Sequence, residues 1–414
     1  MKVYIISHDV GSKKLGMLFR GYFIAQGLKK RGHYVQIIAG SFSHVRRLNP
    51  EVKKDLEMQI IEDIPYHWIK TLYYVGNSWK RAIGLFAFSI KLWLNAGYFA
   101  RRHKADAVIA SSPHPLMIWG AHRLAKKLGC KLIFEVRDIW PLSMYELSGM
   151  KKTHPFYVLC QWAEDYAYKH ADHVVSLLPY AFEHMQTRGL KKEKFVCIPN
   201  GFDETEWNKR QPLNHKTSAQ LEKFKKDFSF LVGYAGLHSD TYSLNYLLEA
   251  FKQIQNESVE NKFAVHCGLV LVGDGPDKSA LIEKAHQLNL KNVLFLDSIA
   301  KEEISSFLNE IDLAYISLKK TPLFKFGISP NKLIDYMAAA KPILYAIDTE
   351  RDPVQESQCG LHVQPDNPVQ IAETILNFSQ MDKILLQQMG QRGQAWIKEN
   401  LDYPKLIEKY EKLL

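Results

Sequence analysis

The chain has 414 residues, 46% apolar and 24% charged, which allows two or three globular domains and a sizeable core. Its five cysteines, Cys130, Cys160, Cys197, Cys267 and Cys359, are scattered and include no C-x-x-C. That argues against a disulfide framework or a zinc knuckle and for a reducing compartment. The net charge of +10 is lopsided: residues 1–104 carry +12 and the remainder −2.

The N-terminal "MKVYIISHDVG" reads as a core strand over Lys2–Ser7, with a polar break too early for a signal peptide. An amphipathic helix is expected over Leu18–Arg31, followed by a turn and a second strand in "RGHYVQIIAG". Residues 71–104 contain no acid and are rich in aromatics, among them Tyr73, Tyr74, Trp79, Phe86, Phe88, Trp93, Tyr98 and Phe99. Basic and aromatic residues together suit an anionic membrane surface or a lipid phosphate. Nucleic acid is the second partner class that such charge admits. The apolar run Ala82–Ala100 nearly reaches bilayer-spanning length, but Lys91 interrupts it at the centre. A crossover helix packed on a sheet is therefore expected, with membrane contact as a second role.

Further strands are expected at Ala107–Ala110, Leu132–Val136, His173–Leu177 and Phe195–Ile198. The polar stretch Asn200–Asp227 breaks the rhythm. It resumes at Phe230–Tyr234, Gly268–Val272, Asn292–Leu296, Leu313–Ile316, Ile343–Tyr345 and Gly360–Val363. Short apolar runs alternating with helical patterns mark parallel sheets. Two such series predict two similar α/β domains with a cleft between them. In open α/β sheets ligands bind beyond the carboxyl ends of the strands. The loops to inspect are "SHDVGSKKLG", "SSPHP", "VRDIWP" and "IPNG" in the first series, and "YAGLHSD", "VGDGPD" and "KFGISPNK" in the second.

Several chemistries find no support. Gly11-x-x-x-x-Gly16 is followed by Met17 and Leu18, not by the Lys and Ser/Thr of a phosphate-binding P-loop. Gly273-x-Gly275 is a fragment of a dinucleotide fingerprint and reads equally well as a tight turn. No Asp-x-Asp, His-x-x-x-His or Gly-x-Ser-x-Gly occurs, so no metal ligand set or serine-hydrolase elbow is legible. His8, at a strand end beside Asp9 and Gly11, reads evenly as a structural hydrogen-bonder or as a catalytic group.

"SPNKLIDYMAAAKPIL" (329–344) carries the sharpest signal. Ser329 suits an N-cap and Pro330 the first helical position. Lys332 then falls in the first turn, where a cation opposes the helix dipole unless an anion is bound there. Asp335, one turn on, is placed to accept ribose hydroxyls.

Five stretches together resemble the family-four glycosyltransferases of the GT-B fold, in particular a bacterial branch that builds surface polysaccharides with amino or deoxy sugars. They are "FRGYFIAQGLKKRGHYV", "EVRDIWPLSMYELSG", "CIPNGFD", "LVGDGPDKSALIEKAHQLNLKNVLFLD" and "SPNKLIDYMAAAKPIL". The resemblance implies two Rossmann-like domains with parallel sheets facing across a cleft. The acceptor-side domain would be 1–200, joined by a C-terminal helix 400–414, and the nucleotide-sugar domain 201–399. It implies transfer with retention from a UDP- or GDP-linked sugar to a saccharide or a polyprenyl-phosphate-linked acceptor. No cofactor, no metal and no nucleic acid enter, and the protein would work in the cytoplasm on the inner membrane face.

Residue by residue, the resemblance assigns Lys332 to the donor pyrophosphate and Asp335 to the second Glu of a Glu-x7-Glu pattern. Ser329, Pro330 and Asn331 shape that loop, and Gly236 lets backbone approach the phosphates. Arg137 and Asp138 stand at the His-Asp position facing the donor sugar. The loop His8–Gly16, with Gly11 and Gly16, closes over the reaction centre. The first Glu of the pattern falls at Gly327, so backbone amides of 326–329 substitute or the sugar lacks a usual hydroxyl. The usual Arg and Lys are absent from "YAGLHSDTYS", which leaves His238 or Arg20 to share the pyrophosphate with Lys332. A GT-B nucleotide-sugar epimerase and a non-catalytic nucleotide-sugar-binding protein are the alternatives.

Overall fold

The computed structural model describes residues 1–16, 19–74, 79–112, 114–260 and 266–414. Leu18, the expected helix start, and residues 75–78 of the basic stretch lie outside the described residues. The chain forms two units, Met1–Gly201 with Tyr403–Leu414, and Phe202–Asp402.

The first unit is built on β1 (Lys2–Ile6), β2 (Tyr34–Gly40), β3 (Glu57–Ile61), β4 (Ile64–Ile69), β5 (Ala107–Ser111), β6 (Lys131–Val136), β7 (His173–Ser176) and β8 (Phe195–Cys197). Among the described residues these make one sheet, in the order β3-β4-β2-β1-β5-β6-β7-β8. Its inner strands are parallel and buried on both faces, so they read as continuous apolar runs. The hairpin β3–β4 is the antiparallel exception and was not legible in the sequence. Its two-residue turn, Glu62-Asp63, adopts left-handed backbone (φ 48° and 62°) without the usual Asn or Gly, and Pro65 lies inside a strand.

Helix α1 (Arg20–Lys30) follows β1, and α2 (Trp79–Arg102) crosses from β4 to β5. One stripe of α2, comprising Leu85, Phe88, Leu92, Ala96 and Phe99, is buried at helical spacing. Helix α3 (Ile118–Leu128) approaches it closely: a Cβ on Gly120 would lie 2.9 Å from the Trp93 backbone nitrogen. The expected crossover helix is therefore present, packed along one face only.

The second unit holds β9 (Phe230–Ala235), β10 (Cys267–Val272), β11 (Val293–Leu296), β12 (Leu313–Ser317), β13 (Ile343–Ala346) and β14 (Gly360–His362). Among the described residues they form one parallel sheet, β11-β10-β9-β12-β13-β14. The polar stretch 200–227 is no linker. It contains helices Glu204–Trp207 and His215–Lys225 of this unit, each begun by a capping side chain, Asp203 and Asn214.

The helix Tyr403–Glu411 belongs to the first unit, where Leu406, Ile407 and Tyr410 are buried in its core. A polar hub ties it down. The fully buried Glu135 accepts hydrogen bonds from Arg20 Nε (3.1 Å), Ser111 Oγ (2.6 Å) and Tyr410 Oη. Arg20 also donates to Pro199 O and Ile198 O (2.6 Å each), to Tyr410 Oη (3.1 Å) and to Asn200 Oδ1 (3.4 Å). All five guanidinium N–H groups are thus engaged within the first unit. This corrects the assignment of Arg20 to a loop that shares a pyrophosphate. It opens α1 and cross-links the sheet, the end of β8 and the C-terminal helix.

Replacing Arg20 by Met would strand the Glu135 carboxylate without its cation, at a cost of about 3–5 kcal/mol. A urea titration should show this as a lower unfolding midpoint for the first unit. An unchanged midpoint would contradict the cross-link.

Candidate functional site

At the carboxyl end of β9 the chain turns sharply through Gly236 and Leu237 to His238. This turn is zipped to the loop after β10: Gly236 N donates to Val272 O, His238 N to Asp274 O, and Asp277 N to His238 O. A Cβ at Gly273 or Gly275 would collide with the backbone of Gly236 or His238, so this close approach requires both glycines. Lys278 Nζ closes the junction by donating to Gly273 O (2.9 Å) and Leu296 O (3.0 Å).

The helix Asn331–Ala338 is aimed at the same strand end. Tyr336 is fully buried, and its hydroxyl accepts from Ala235 N at 2.9 Å. Lys332 lies four residues earlier and so on the same helical stripe. Its Nζ donates to Tyr234 Oη at 2.7 Å and sits 3.4 Å from the Tyr242 ring centroid and 4.2 Å from that of Tyr234. A Cβ on Gly236 would lie only 2.6 Å from Nζ, which places the ammonium against the turn. Burial among these rings pushes the Lys332 ammonium well below its usual range.

The helix begins one residue later than expected. Pro330 is the N-cap, with extended backbone (ψ 132°), and its own side chain makes no capping hydrogen bond. Lys332 is therefore the second helical residue, beside amides that have no intrahelical partner. Gly327 ends the 3-10 turn Pro322–Phe326 with φ 87°, a left-handed conformation that favours glycine, and its N–H is spent on Phe324 O. Of the amides expected to replace the missing carboxylate there, that one is engaged.

The structure separates Asp335 from Lys332. The Asp335 carboxylate pairs with Lys301 Nζ at 2.5 Å, whereas Lys332 takes aromatic partners. His238 is completely buried, and among the described residues neither ring nitrogen has a partner. Burial, with Lys278 adding to it, pushes its pKa down to about 4, so a neutral His238 brings no charge to share a pyrophosphate.

In the first unit, Arg137 Nη2 and Asp9 Oδ2 form an ion pair of 3.0 Å at the ends of β6 and β1. Burial would raise the Asp9 carboxyl, but Arg137, His8 and Arg46 together outweigh it and the net shift is downward. Asp138 is exposed beside this pair. His8 is only 1% exposed, its ring 5.1 Å from Phe88 and 6.0 Å from His114. Burial and then His114 push its pKa to about 3, so its ring is neutral in the free protein. Arg46, missed in the sequence, pins the loop by donating to His8 O, Val10 O and Gly40 O. Gly11 O accepts from Tyr66 Oη (3.0 Å), and Gly16 (φ 71°) closes the loop on Ser12 O (2.7 Å). Among the described residues no three His, Cys, Asp or Glu side chains cluster to hold a metal.

Sequence reasoning also missed Tyr234 and Tyr242. Tyr234 sits in "FLVGYA", where it reads as one more core residue, and nothing in the string marks its hydroxyl. The arrangement in the second unit offers one ammonium with no carboxylate among its described contacts, first-turn helix amides that lack intrahelical partners, and a glycine in the adjoining turn. That combination suits phosphate oxygens.

Residues 22–206 match the family described as Glycosyltransferase Family 4, and residues 229–380 match Glycosyl transferases group 1. The chain is 22% identical over 332 residues to a probable glycosyltransferase, WbjE, of Pseudomonas aeruginosa, which spans 78% of this chain and 76% of that protein. Among solved structures, it is similar to the trehalose-6-phosphate protein of E. coli bound with UDP-2-fluoro glucose. There the TM-score is 0.74 at 11% identity, covering 100% of this chain and 99% of the other. Anabaena HepE in complex with UDP and glucose gives a TM-score of 0.66 at 16% identity, covering 100% and 98%. These likenesses identify a two-domain, Rossmann-like GT-B fold.

Gly236→Ala tests the geometry. The new methyl should push the ammonium out of its place while the flexible lysine absorbs the clash and the fold survives. Losing a charge-assisted contact worth about 1.5 kcal/mol should weaken binding of inorganic pyrophosphate about tenfold, read by calorimetry. Undiminished binding would show that Lys332 does not face the anion.

Proposed function

The chain belongs to glycosyltransferase family 4 and is a glycosyl-transferring enzyme, and from that premise we propose that its second unit holds a nucleotide-sugar donor by the diphosphate. The observation that carries this reading is the Lys332 ammonium. It lies against the Gly236 turn and beside first-turn helix amides that lack intrahelical partners, with no carboxylate among its described contacts. Two of the similar structures contain UDP or a UDP-sugar, which makes uridine the first base to test and guanosine the second.

The reaction proposed is transfer with retention to a saccharide or lipid-linked acceptor in surface polysaccharide synthesis. The bond from the anomeric carbon to the diphosphate oxygen breaks as the bond to the acceptor oxygen forms. The acceptor's proton passes to the departing phosphate. Fixed positive charge and N–H dipoles lower the energy of that departing diphosphate. The ion-paired Arg137 and the exposed Asp138 remain our assignment for the side that meets the sugar.

The lipid-linked choice is supported by α2. Opposite its buried stripe, Ile83, Ile90 and Leu94 are 40%, 57% and 61% exposed, flanked by the exposed Lys80 and Arg101. By length and composition α2 is also apolar enough to cross a bilayer, yet its other face is packed in the unit. We therefore assign it to docking on the surface of an anionic membrane from the cytoplasmic side.

A melting scan against UDP, GDP, dTDP and CDP tests the donor site. At about 100 times its dissociation constant, the right nucleotide stabilises by roughly 2.7 kcal/mol. Lys332→Ala should abolish that shift at an unchanged ligand-free melting temperature, and a full shift in the variant would contradict the phosphate role. Conversion of the donor without any acceptor would point to epimerisation instead.

Sedimentation with phosphatidylglycerol vesicles tests the docking face. Binding should occur at low salt, fall as salt screens the charges, and fall further in Leu94→Glu. Equal binding to phosphatidylcholine vesicles, or none to either, would remove the membrane assignment.

A further inference from the structure

We propose, resting on the donor reading above, that Tyr234 and Tyr242 are positioning residues for Lys332. They hold its ammonium with neutral groups, so that its charge stays uncompensated until a diphosphate arrives.

The hydrogen-bond polarity is fixed. Tyr234 Oη donates its single proton to Leu237 O at 2.7 Å, so towards Lys332 Nζ, at 2.7 Å, it can only accept. The same bond ties the lysine's holder to the turn that faces the ligand. Tyr242 offers Nζ a ring face at 3.4 Å. Its own position is set by β12: Ser317 Oγ donates to Tyr242 O, and Lys319 N donates to Thr241 O at 2.8 Å. A phenol oxygen and two π faces attract an ammonium without cancelling its charge. A carboxylate in their place would form an ion pair that an incoming phosphate would have to break.

The acids around the box are engaged elsewhere. Asp335, on the lysine's own helix, pairs with Lys301 at 2.5 Å. Asp240, two residues before Tyr242, pairs with Lys319 at 2.7 Å. Asp274, in the loop zipped to the turn, accepts from Gly275 N at 2.8 Å. His238 on the turn is held neutral by burial, and Lys278 spends its protons on Gly273 O and Leu296 O, with Asp297 at 3.5 Å. The lowered pKa of Lys332 is the energetic counterpart of this isolation. An arriving diphosphate favours the charged form and raises the lysine's pKa. Affinity should therefore be full below the free-state pKa of Lys332. It should fall as pH rises from that value to the higher pKa of the bound state.

The test is calorimetric titration of UDP-glucose and GDP-glucose from acidic to alkaline pH; their diphosphates carry no proton that titrates between neutral and alkaline pH, and the ionisation of the base N–H is common to the wild-type protein and the variants. Tyr234→Phe keeps a ring but loses the acceptor oxygen, and Tyr242→Leu loses the π face. Each should weaken binding about tenfold and move the fall in affinity to lower pH, because the ammonium has lost support. Tyr242→Phe keeps the face and should restore the wild-type profile. Melting curves confirm that each variant folds. Weaker binding with an unmoved pH profile in both tyrosine variants would overturn the positioning role and leave the donor site standing. Wild-type affinity in Lys332→Met, or no binding of either probe by the wild-type protein, would overturn the donor reading itself.

Discussion

A buried or half-buried cation normally brings its anion with it, because removing a charge from water costs more than most single contacts return. Lys332 departs from that pattern, and the architecture of the second unit explains how it can. The parallel order of β10, β9 and β12 brings three loops to the same end of the sheet. Tyr336 bolts the helix to β9 through Ala235 N, and the helical repeat then carries Lys332 to the strand end. There β9 itself supplies a phenol, the following 3-10 turn supplies a ring, and Gly236 supplies no side chain at all. The helix dipole opposes the ammonium from behind. The site we propose for the diphosphate is thus assembled around a charge that burial and the helix dipole both disfavour.

The first unit treats charge in the opposite way. Arg20 is saturated by a carboxylate, two carbonyls, an amide oxygen and a phenol. Arg46 donates to three backbone carbonyls, and Arg137 pairs with Asp9. Arg20 locks the C-terminal helix and Arg46 the loop after β1, while Arg137, paired with Asp9, ties the ends of β6 and β1 on the side we assign to the sugar. The contrast separates cations engaged by the fold from the one we propose for the diphosphate.

Much of the fold could be read from the string because parallel strands, buried on both faces, have to be short apolar runs. "KVYII", "AVIAS", "FLVGYA" and "CGLVLV" announce themselves in that way. The β3–β4 hairpin did not, because its left-handed turn is made of Glu62 and Asp63 and its second strand contains a proline. The helix carrying Lys332 was legible to within one residue, since Ser-Pro marks a start but does not say which residue takes the extended backbone. Charge partnerships were the least legible feature. Asp335 reads as an acceptor for ribose hydroxyls, and nothing near it in the string shows that Lys301, thirty-four positions away, pairs with its carboxylate. Arg20 looked like a free cation near a loop because Glu135 and Tyr410, its partners, are distant in sequence. Such long-range pairings are set by the packing of elements and leave no local pattern.

The first unit is completed by chain that follows the second. Phe202 N bonds Leu401 O, residue 202 bridges Asp402, and the helix that follows returns Leu406, Ile407 and Tyr410 to the first unit's core. During synthesis, the amino-terminal half therefore emerges from the ribosome with a gap along α1. That gap persists while all of residues 202–402 are translated and free to fold. The later-made unit is continuous and needs nothing more, so it can reach its native state before the earlier-made one is finished, reversing the usual order in which domains mature on the ribosome.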